Sequence, residues 1–171
     1  MLSPSGRLLV TRLKGRERTT TVGGRTVVKA EQSGYAVMLL TAEQGASATS
    51  AALADVGRIC LQGGKPALSY DERWMVLHHY VTDEDAIGLG FSGPDDPAFA
   101  QYRELGASNL YLVDLLDGTS RAITRMGPGQ YAIFPHFRSD GWIYFVVRTL
   151  DGDELFAASD AAVLLESAAG G

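Results

Sequence analysis

Short apolar runs separated by polar turns dominate residues 109–148. Asn109 to Leu116 is apolar without the spacing of a helix, and it leads directly into the turn pair Asp117-Gly118. After a second turn at 138–141 come six apolar residues in succession, Trp142 to Val147, a pattern typical of a strand that is buried on both faces. The pattern predicts a chain of short antiparallel strands.

The same unit, a small polar turn followed by an apolar strand, occurs three times along the chain. Equivalent turn positions are Ser5, Asp71 and Asp140, which are 66 and 69 residues apart. These offsets exceed the roughly 40 to 50 residues of a standard propeller blade, so we expect insertions. We assign them to 14–25, to 42–55 as a surface loop or short helix, and to 82–108, where 98–105 should form one or two helical turns.

The turns and the strands beside them carry a family resemblance. Ser3-Pro4-Ser5-Gly6-Arg7, Pro66 to Arg73, Pro135 to Gly141 and Asn109 to Thr124 resemble the repeats of TolB-like β-propellers. The second copy departs from the pattern at Tyr70 and Glu72, which replace proline and glycine, and the first has Ser5 for aspartate. These departures affect the expected turn geometry and leave the repeat itself recognisable.

The resemblance implies an all-β fold, an incomplete β-propeller of about three four-stranded antiparallel blades with long inserted loops. Residues 1–62 would form a first blade without its inner strand, 63–125 a second blade with the insertion 82–108, and 126–171 a third. Segment 159–166 fits either an outer strand or a short helix capped by Ser159 or Asp160. Propellers usually close with 4 to 8 blades, so we expect a fragment of a larger propeller or self-association through exposed blade edges.

Composition limits the partners. The formal charge is −5, yet residues 1–30 hold seven Lys or Arg and one acidic residue. This basic segment lacks interleaved aromatic residues and any nucleic-acid motif, so we expect a solvated basic surface and no nucleic-acid partner.

No apolar run approaches the roughly 20 residues of a membrane span, and no secretory signal is visible. The single cysteine, Cys60, forms no internal disulfide, and the compartment stays open. The resemblance implies a periplasmic or secreted parent; the alternative is the cytoplasm.

Three histidines are the main candidates for chemistry. His78 and His79 are adjacent on one strand and point to opposite faces, so only one of them could share a site with His136. A metal site would combine His79 and His136 with Asp140 or Asp71. The usual ligand spacings are missing, so we expect hydrogen-bonded strand histidines, with no metal and no cofactor. The acidic residues at 83–85 and 95–96 lack the alternating pattern of a calcium loop.

No Gly-x-Ser-x-Gly nucleophile motif occurs in the chain. We therefore expect a non-catalytic module that binds a protein or a small ligand, and no catalytic residues. The alternative is the propeller portion of an enzyme, either the gating domain of a serine hydrolase or peptidase or a metal-dependent sugar-active enzyme. The pattern predicts a scaffold and does not identify the ligand.

Overall fold

A computed structural model of the chain describes residues 1–22, 25–44 and 49–169. Its residues divide into two compact units, Met1–Gly63 and Gly64–Gly171. The described chain is mostly β-strand, in antiparallel and mixed sheets that do not close on themselves. The prediction of a mostly β chain is confirmed.

The first unit is an antiparallel sheet of three strands in the order β1-β2-β3. These strands are β1 (Leu8–Val22), β2 (Arg25–Gln44) and β3 (Thr49–Ile59). Val10, Tyr35 and Val37 are buried in it, and the Tyr35 hydroxyl donates to the carbonyl of Gly63 at 2.6 Å. Leu2, before β1, forms an isolated antiparallel bridge with Leu9 of β1.

The insertions expected in the first unit are largely strand. Segment 14–25 continues β1 and begins β2, and the prediction of a loop or helix at 42–55 is wrong because β2 and β3 occupy its described part. Positions 23–24 and 45–48 lie outside the described residues. A hairpin pairs its backbone N–H and C=O groups along its whole length, so polar sequence extends the ladder without an apolar face. Apolar periodicity alone could not reveal this.

The second unit contains two antiparallel groups of strands. The first is the meander β4 (Gly64–Leu68), β5 (Trp74–Tyr80), β6 (Ser108–Asp114) and β7 (Ser120–Ala122). The second is β8 (Gln130–Phe137), β9 (Ile143–Thr149) and β10 (Glu154–Ser159). One parallel bridge, Ser108 to Tyr131, joins them. Each group therefore consists of neighbouring strands connected by short turns or, between β5 and β6, by the insertion.

A hydrophobic core lies between these two groups. Alternate residues of β5 and β6 meet β8 and β9 there, because successive side chains of a strand point to opposite faces. The buried members are Trp74, Val76, Leu110, Leu112, Ala132, Phe137, Ile143, Phe145 and Ala162. Burial of each large side chain stabilises the fold by about 1.5–3 kcal/mol, so this cluster holds the second unit together.

The three repeated turns have the same local geometry. In each, a side-chain oxygen accepts a hydrogen bond from the backbone N–H two residues later, as in an Asx or ST turn. The pairs are Ser5 with Arg7 at 3.1 Å, Asp71 with Arg73 at 3.2 Å and Asp140 with Trp142 at 3.1 Å. The Ser5 hydroxyl oxygen therefore accepts the same hydrogen bond as the aspartate carboxylates of the other two copies.

The residue that follows the side-chain acceptor is left-handed in every copy. Gly6 has φ 74°, Glu72 φ 62° and Gly141 φ 82°. Glycine adopts this conformation without steric cost, whereas a residue with a Cβ does not. Glu72 thus adopts the same left-handed conformation as Gly6 and Gly141 and is strained in it.

The open alternative at 159–166 is resolved by helix α2. It spans Ala161–Ala169, and the hydroxyl oxygen of Ser159 accepts from the N–H of Ala161 at 3.3 Å. The Trp74 indole N–H donates to Glu166 Oε1 at 2.9 Å and ties the helix to β5. A shorter helix, α1 (Ala100–Leu105), comes earlier in the chain.

The insertion 82–108 has its own small core. It consists of 3-10 turns at Asp83–Asp85 and Pro97–Phe99, followed by α1, so the prediction of helical turns at 98–105 is confirmed. Phe99 is 1% exposed and stacks on Tyr102 with ring centroids 5.5 Å apart. The Phe91 ring contacts the same Phe99 ring, with ring centroids 5.4 Å apart, so aromatic residues form the core of the insertion.

Candidate functional site

The first part of the insertion and the strands β6 and β7 enclose a cleft of about 480 Å³. This volume lies in the range of small-molecule sites, about 300–1,000 Å³. The cleft is lined by Glu84, Asp85, Gly88, Leu89, Asn109, Tyr111, Ala122, Ile123, Thr124 and Arg125. All of these residues belong to the second unit, so one compact body forms the whole site.

Asp85 fixes the insertion to the sheet beside the cleft. Its Oδ2 lies 2.9 Å from His79 Nε2, near the end of β5, and accepts from the N–H and hydroxyl of Thr82 at 2.7 and 2.9 Å. The side chains of His79 and Asp85 are only 11% and 18% exposed. One carboxylate thus links the strand and the entry to the inserted turn.

The surroundings of Asp85 keep it ionised. Burial by itself would raise its pKa, but the hydrogen bonds from His79 and Thr82 outweigh burial, and the pKa lies below its ordinary value of 3.8. The cleft therefore has a fixed negative charge in its wall at neutral pH.

Tyr111, on β6, gives the cleft an aromatic surface. Its ring and the His79 ring are nearly perpendicular, with ring centroids 5.5 Å apart. Burial, and then the negative charge of Asp85, raise the pKa of the Tyr111 hydroxyl above 10. The phenol is therefore neutral and lies in the field of the carboxylate.

Asn109 and Thr124 are held in place by each other and by the backbone. The side-chain carbonyl of Asn109 accepts from the Met126 N–H at 2.7 Å and from the Thr124 hydroxyl at 3.3 Å. Across the cleft, the Arg125 guanidinium donates to the carbonyl of Leu89. These bonds join the outer strand region to the insertion, so the walls of the cleft are fixed relative to one another.

The predicted metal candidates are not gathered into one place. His79 pairs with Asp85, whereas His136 is exposed and stacks on Tyr144 with centroids 6.1 Å apart. Asp140 belongs to the turn, where it caps Trp142 and pairs with Arg138 at 3.3 Å. In the described ranges, no group of three His, Cys, Asp or Glu side chains is arranged to hold a metal ion.

His78 lies on the opposite face of β5 from His79, as the alternation of the strand requires. It is 4% exposed, and its ring meets Phe134 and Tyr80 edge to face at 6.1 and 5.4 Å. A Cβ on Gly64 would come within 2.6 Å of its Nε2. His78 is therefore a buried residue packed against β4.

Asp71 lies in a second, smaller depression of about 220 Å³ beside Asp140 and Glu166. The Asp71 carboxylate accepts from the Ser69 hydroxyl and caps Arg73. Burial would raise its pKa, but these bonds hold the pKa below 3.8. Its contacts are those of a turn that orients β5.

The acidic residues of the insertion also have separate partners. Asp83 accepts from Arg103 at 2.8 Å, and Asp96 accepts from Ser92 and Ala98 at 2.9 Å. Only Glu84 and Asp85 of this group reach the cleft. The pairing of Asp85 with His79 was missed from sequence, although Thr82-x-x-Asp85 has the spacing of a capping box and marks Asp85 as a structured residue.

Comparisons with known proteins add no identity. No protein-family model matches the chain, and no curated protein matches it. No helix in the part of the chain that the structure describes is long and apolar enough to cross a membrane.

Proposed function

We propose that this chain is a binding module built on TolB-like propeller blades, a portion of a larger propeller protein, and that it takes a small ligand in the cleft beside Tyr111. The observation that carries the proposal is the insertion folded against a four-stranded meander. It encloses about 480 Å³ against β6 and β7. Loops placed on a rigid sheet are the common position for binding residues.

Two features support the blade assignment. The strands β4 to β7 form a continuous antiparallel meander, the arrangement of one propeller blade. The turns that begin the repeats share their side-chain bond and their left-handed residue at 6, 72 and 141. Repetition of one local geometry at three sites fits an array of similar units.

The charged and polar groups in the cleft support a small ligand over a flat protein surface. Glu84 and Asp85 carry acidic groups, Arg125 carries a cation, and Asn109 contributes an amide. Such sites bind small molecules through a few fixed polar groups around an apolar or aromatic surface.

One observation favours the alternative, that the chain is part of an enzyme. The His79–Asp85 pair is partly buried beside a cleft, and a carboxylate that orients an imidazole is a common arrangement for a general base. A sugar-active enzyme would require turnover that depends on His79. Binding without turnover distinguishes the module from this alternative.

Filling the cleft tests the proposal. Ala122 on β7 is exposed and lines the cleft, whereas its neighbour Arg121 points to the other face of the strand, so Ala122→Trp and Arg121→Trp are a matched pair. We expect ligands found by ligand-observed NMR from a panel of small polar molecules to lose binding in Ala122→Trp and to keep it in Arg121→Trp. Hits that survive Ala122→Trp would contradict the site, and turnover of a hit that stops in His79→Ala would establish the enzyme.

The genomic reading frames on both sides of the chain test the larger propeller. Further Ser-Pro-Asp-Gly repeats in the same frame are the expected result. A frame that closes on both sides without such repeats would contradict it.

A further inference from the structure

The charges in the cleft indicate the class of ligand that it binds, an inference that rests on the proposed function. Two carboxylates, those of Glu84 and Asp85, line the cleft near the ring of Tyr111. Glu84 is exposed, and Asp85 is largely buried, so one is a solvated charge and the other a fixed one. Together they offer several acceptor oxygens on one wall.

The hydrogen bonds of Asp85 converge on one of its two oxygens. His79 and both donors of Thr82 meet Oδ2, so none of these three bonds uses the second oxygen, Oδ1, of this residue in the cleft lining. Carboxylates form their strongest hydrogen bonds with charged donors. An ammonium group would supply such a donor.

Tyr111 adds a second preference for positive charge. The face of a phenol ring attracts a cation within about 6 Å of its centroid. Burial, and then the negative charge of Asp85, raise the pKa of its hydroxyl, so the phenol lies close enough to Asp85 to feel that charge. Arg125, the opposing charge in the lining, is directed to the Leu89 carbonyl and so to the backbone of the insertion.

We infer that the cleft binds a small organic cation, an alkylammonium group held by Glu84, Asp85 and the ring of Tyr111. The alkyl part would lie along Ile123, Ala122 and Leu89, which supply the apolar lining. A neutral polyol could donate to the same acceptors, but it would lack the charge–charge attraction to the carboxylates and the cation–π contact with the ring. An anion would meet two carboxylates and one cation, Arg125, so repulsion by the two acidic groups outweighs the single attraction.

Four small probes separate these classes: butylamine, its neutral isostere butanol, the polyol glucose and the anion acetate. Binding is measured by protein-observed NMR titration at neutral pH and low salt. We expect butylamine to shift resonances of Tyr111 and its neighbours, with little effect from the other three. Glu84→Gln should weaken butylamine binding about tenfold, since it removes one charge-assisted contact.

Glu104→Gln is the matched control, because Glu104 is an exposed glutamate of the same insertion that does not line the cleft. It should leave the affinity unchanged, and higher salt should weaken butylamine binding in the parent chain because screening acts on exposed charges. Butylamine affinity that is equal in parent and Glu84→Gln overturns the inference.

Failure of the inference can be told apart from failure of the proposed function. If glucose or butanol binds at least as tightly as butylamine, and this binding is lost in Ala122→Trp, the preference for a cation is overturned. The proposal of a binding module then stands. If none of the four probes binds, the cation is overturned, and the Ala122→Trp screen with the wider panel then decides the module.

Discussion

Replacement of Asp85 by alanine removes the link between the insertion and β5. The change leaves His79 and the N–H and hydroxyl of Thr82 without the oxygen to which they bond at 2.7–2.9 Å. Loss of a partner for a buried polar group costs about 1–3 kcal/mol, and the 18% exposure of the Asp85 side chain favours the lower half of that range. We expect the free energy of unfolding to fall by about 1–2 kcal/mol.

Tryptophan fluorescence during urea denaturation is a suitable assay. The two tryptophans, Trp74 and Trp142, both lie in the second unit, so the signal reports the body that contains Asp85. Asp95→Ala is the control, because Asp95 lies in the same insertion with its side chain 99% exposed. It should change stability by no more than about 0.5 kcal/mol.

The pH dependence gives an independent test of the same bond. Since the pKa of Asp85 is lowered from 3.8 in the fold, its contribution is full above about pH 3.8 and is lost as the pH falls through the lower folded pKa. The difference in free energy of unfolding between the parent chain and Asp85→Ala should therefore become smaller below pH 3.8. Asp71, Asp96 and Asp117 also have lowered pKa values, but both proteins contain them and their effects cancel. An equal stability of Asp85→Ala and Asp95→Ala at neutral pH would refute the reasoning.

Three further predictions concern the turns, the C-terminal helix and the sheet edge. Glu72→Gly should stabilise the chain by about 0.5–1 kcal/mol, because relief of the left-handed strain exceeds the entropy cost of glycine; a loss in urea denaturation would contradict this. Glu166→Ala should cost about 1 kcal/mol and Trp74→Phe more, because the smaller ring also loses packing in the core; together they should cost less than the sum of the two, since they share one hydrogen bond, and full additivity in a double-mutant cycle would argue against it. Phe156 on the edge strand β10 is 86% exposed, so Phe156→Lys should lower any self-association seen by sedimentation, whereas unchanged association would place the contact elsewhere.

The parts of the fold that were predicted correctly depend on short stretches of chain. The turns around Ser5, Asp71 and Asp140 form through bonds to the residue two positions later, so composition within the turn is sufficient to indicate them. The strands that follow begin at Leu8, Trp74 and Ile143, at the same offsets as the turns. Local chemistry thus determines each turn and the start of the strand after it, whereas the insertions set the spacing between copies.

The elements that the sequence left open or assigned wrongly depend on contacts with other segments of the chain. Residues 161–169 carry alanine, leucine and valine in an order that suits strand or helix, and the contact between Trp74 and Glu166 appears only in the fold. The long hairpin ladders of the first unit satisfy backbone groups across strands and need no apolar periodicity.

The cleft shows most clearly which features follow from local sequence and which depend on the tertiary structure. By itself the sequence determined that the chain is mostly β, that its turns repeat, and that 82–108 is inserted between two paired strands. Only the tertiary structure decided that Asp85 reaches His79 and that the insertion lies against Tyr111. Turn signals act over a few residues, whereas a site assembled from β5, β6, β7 and a loop depends on strand register and packing, which no single stretch of sequence contains.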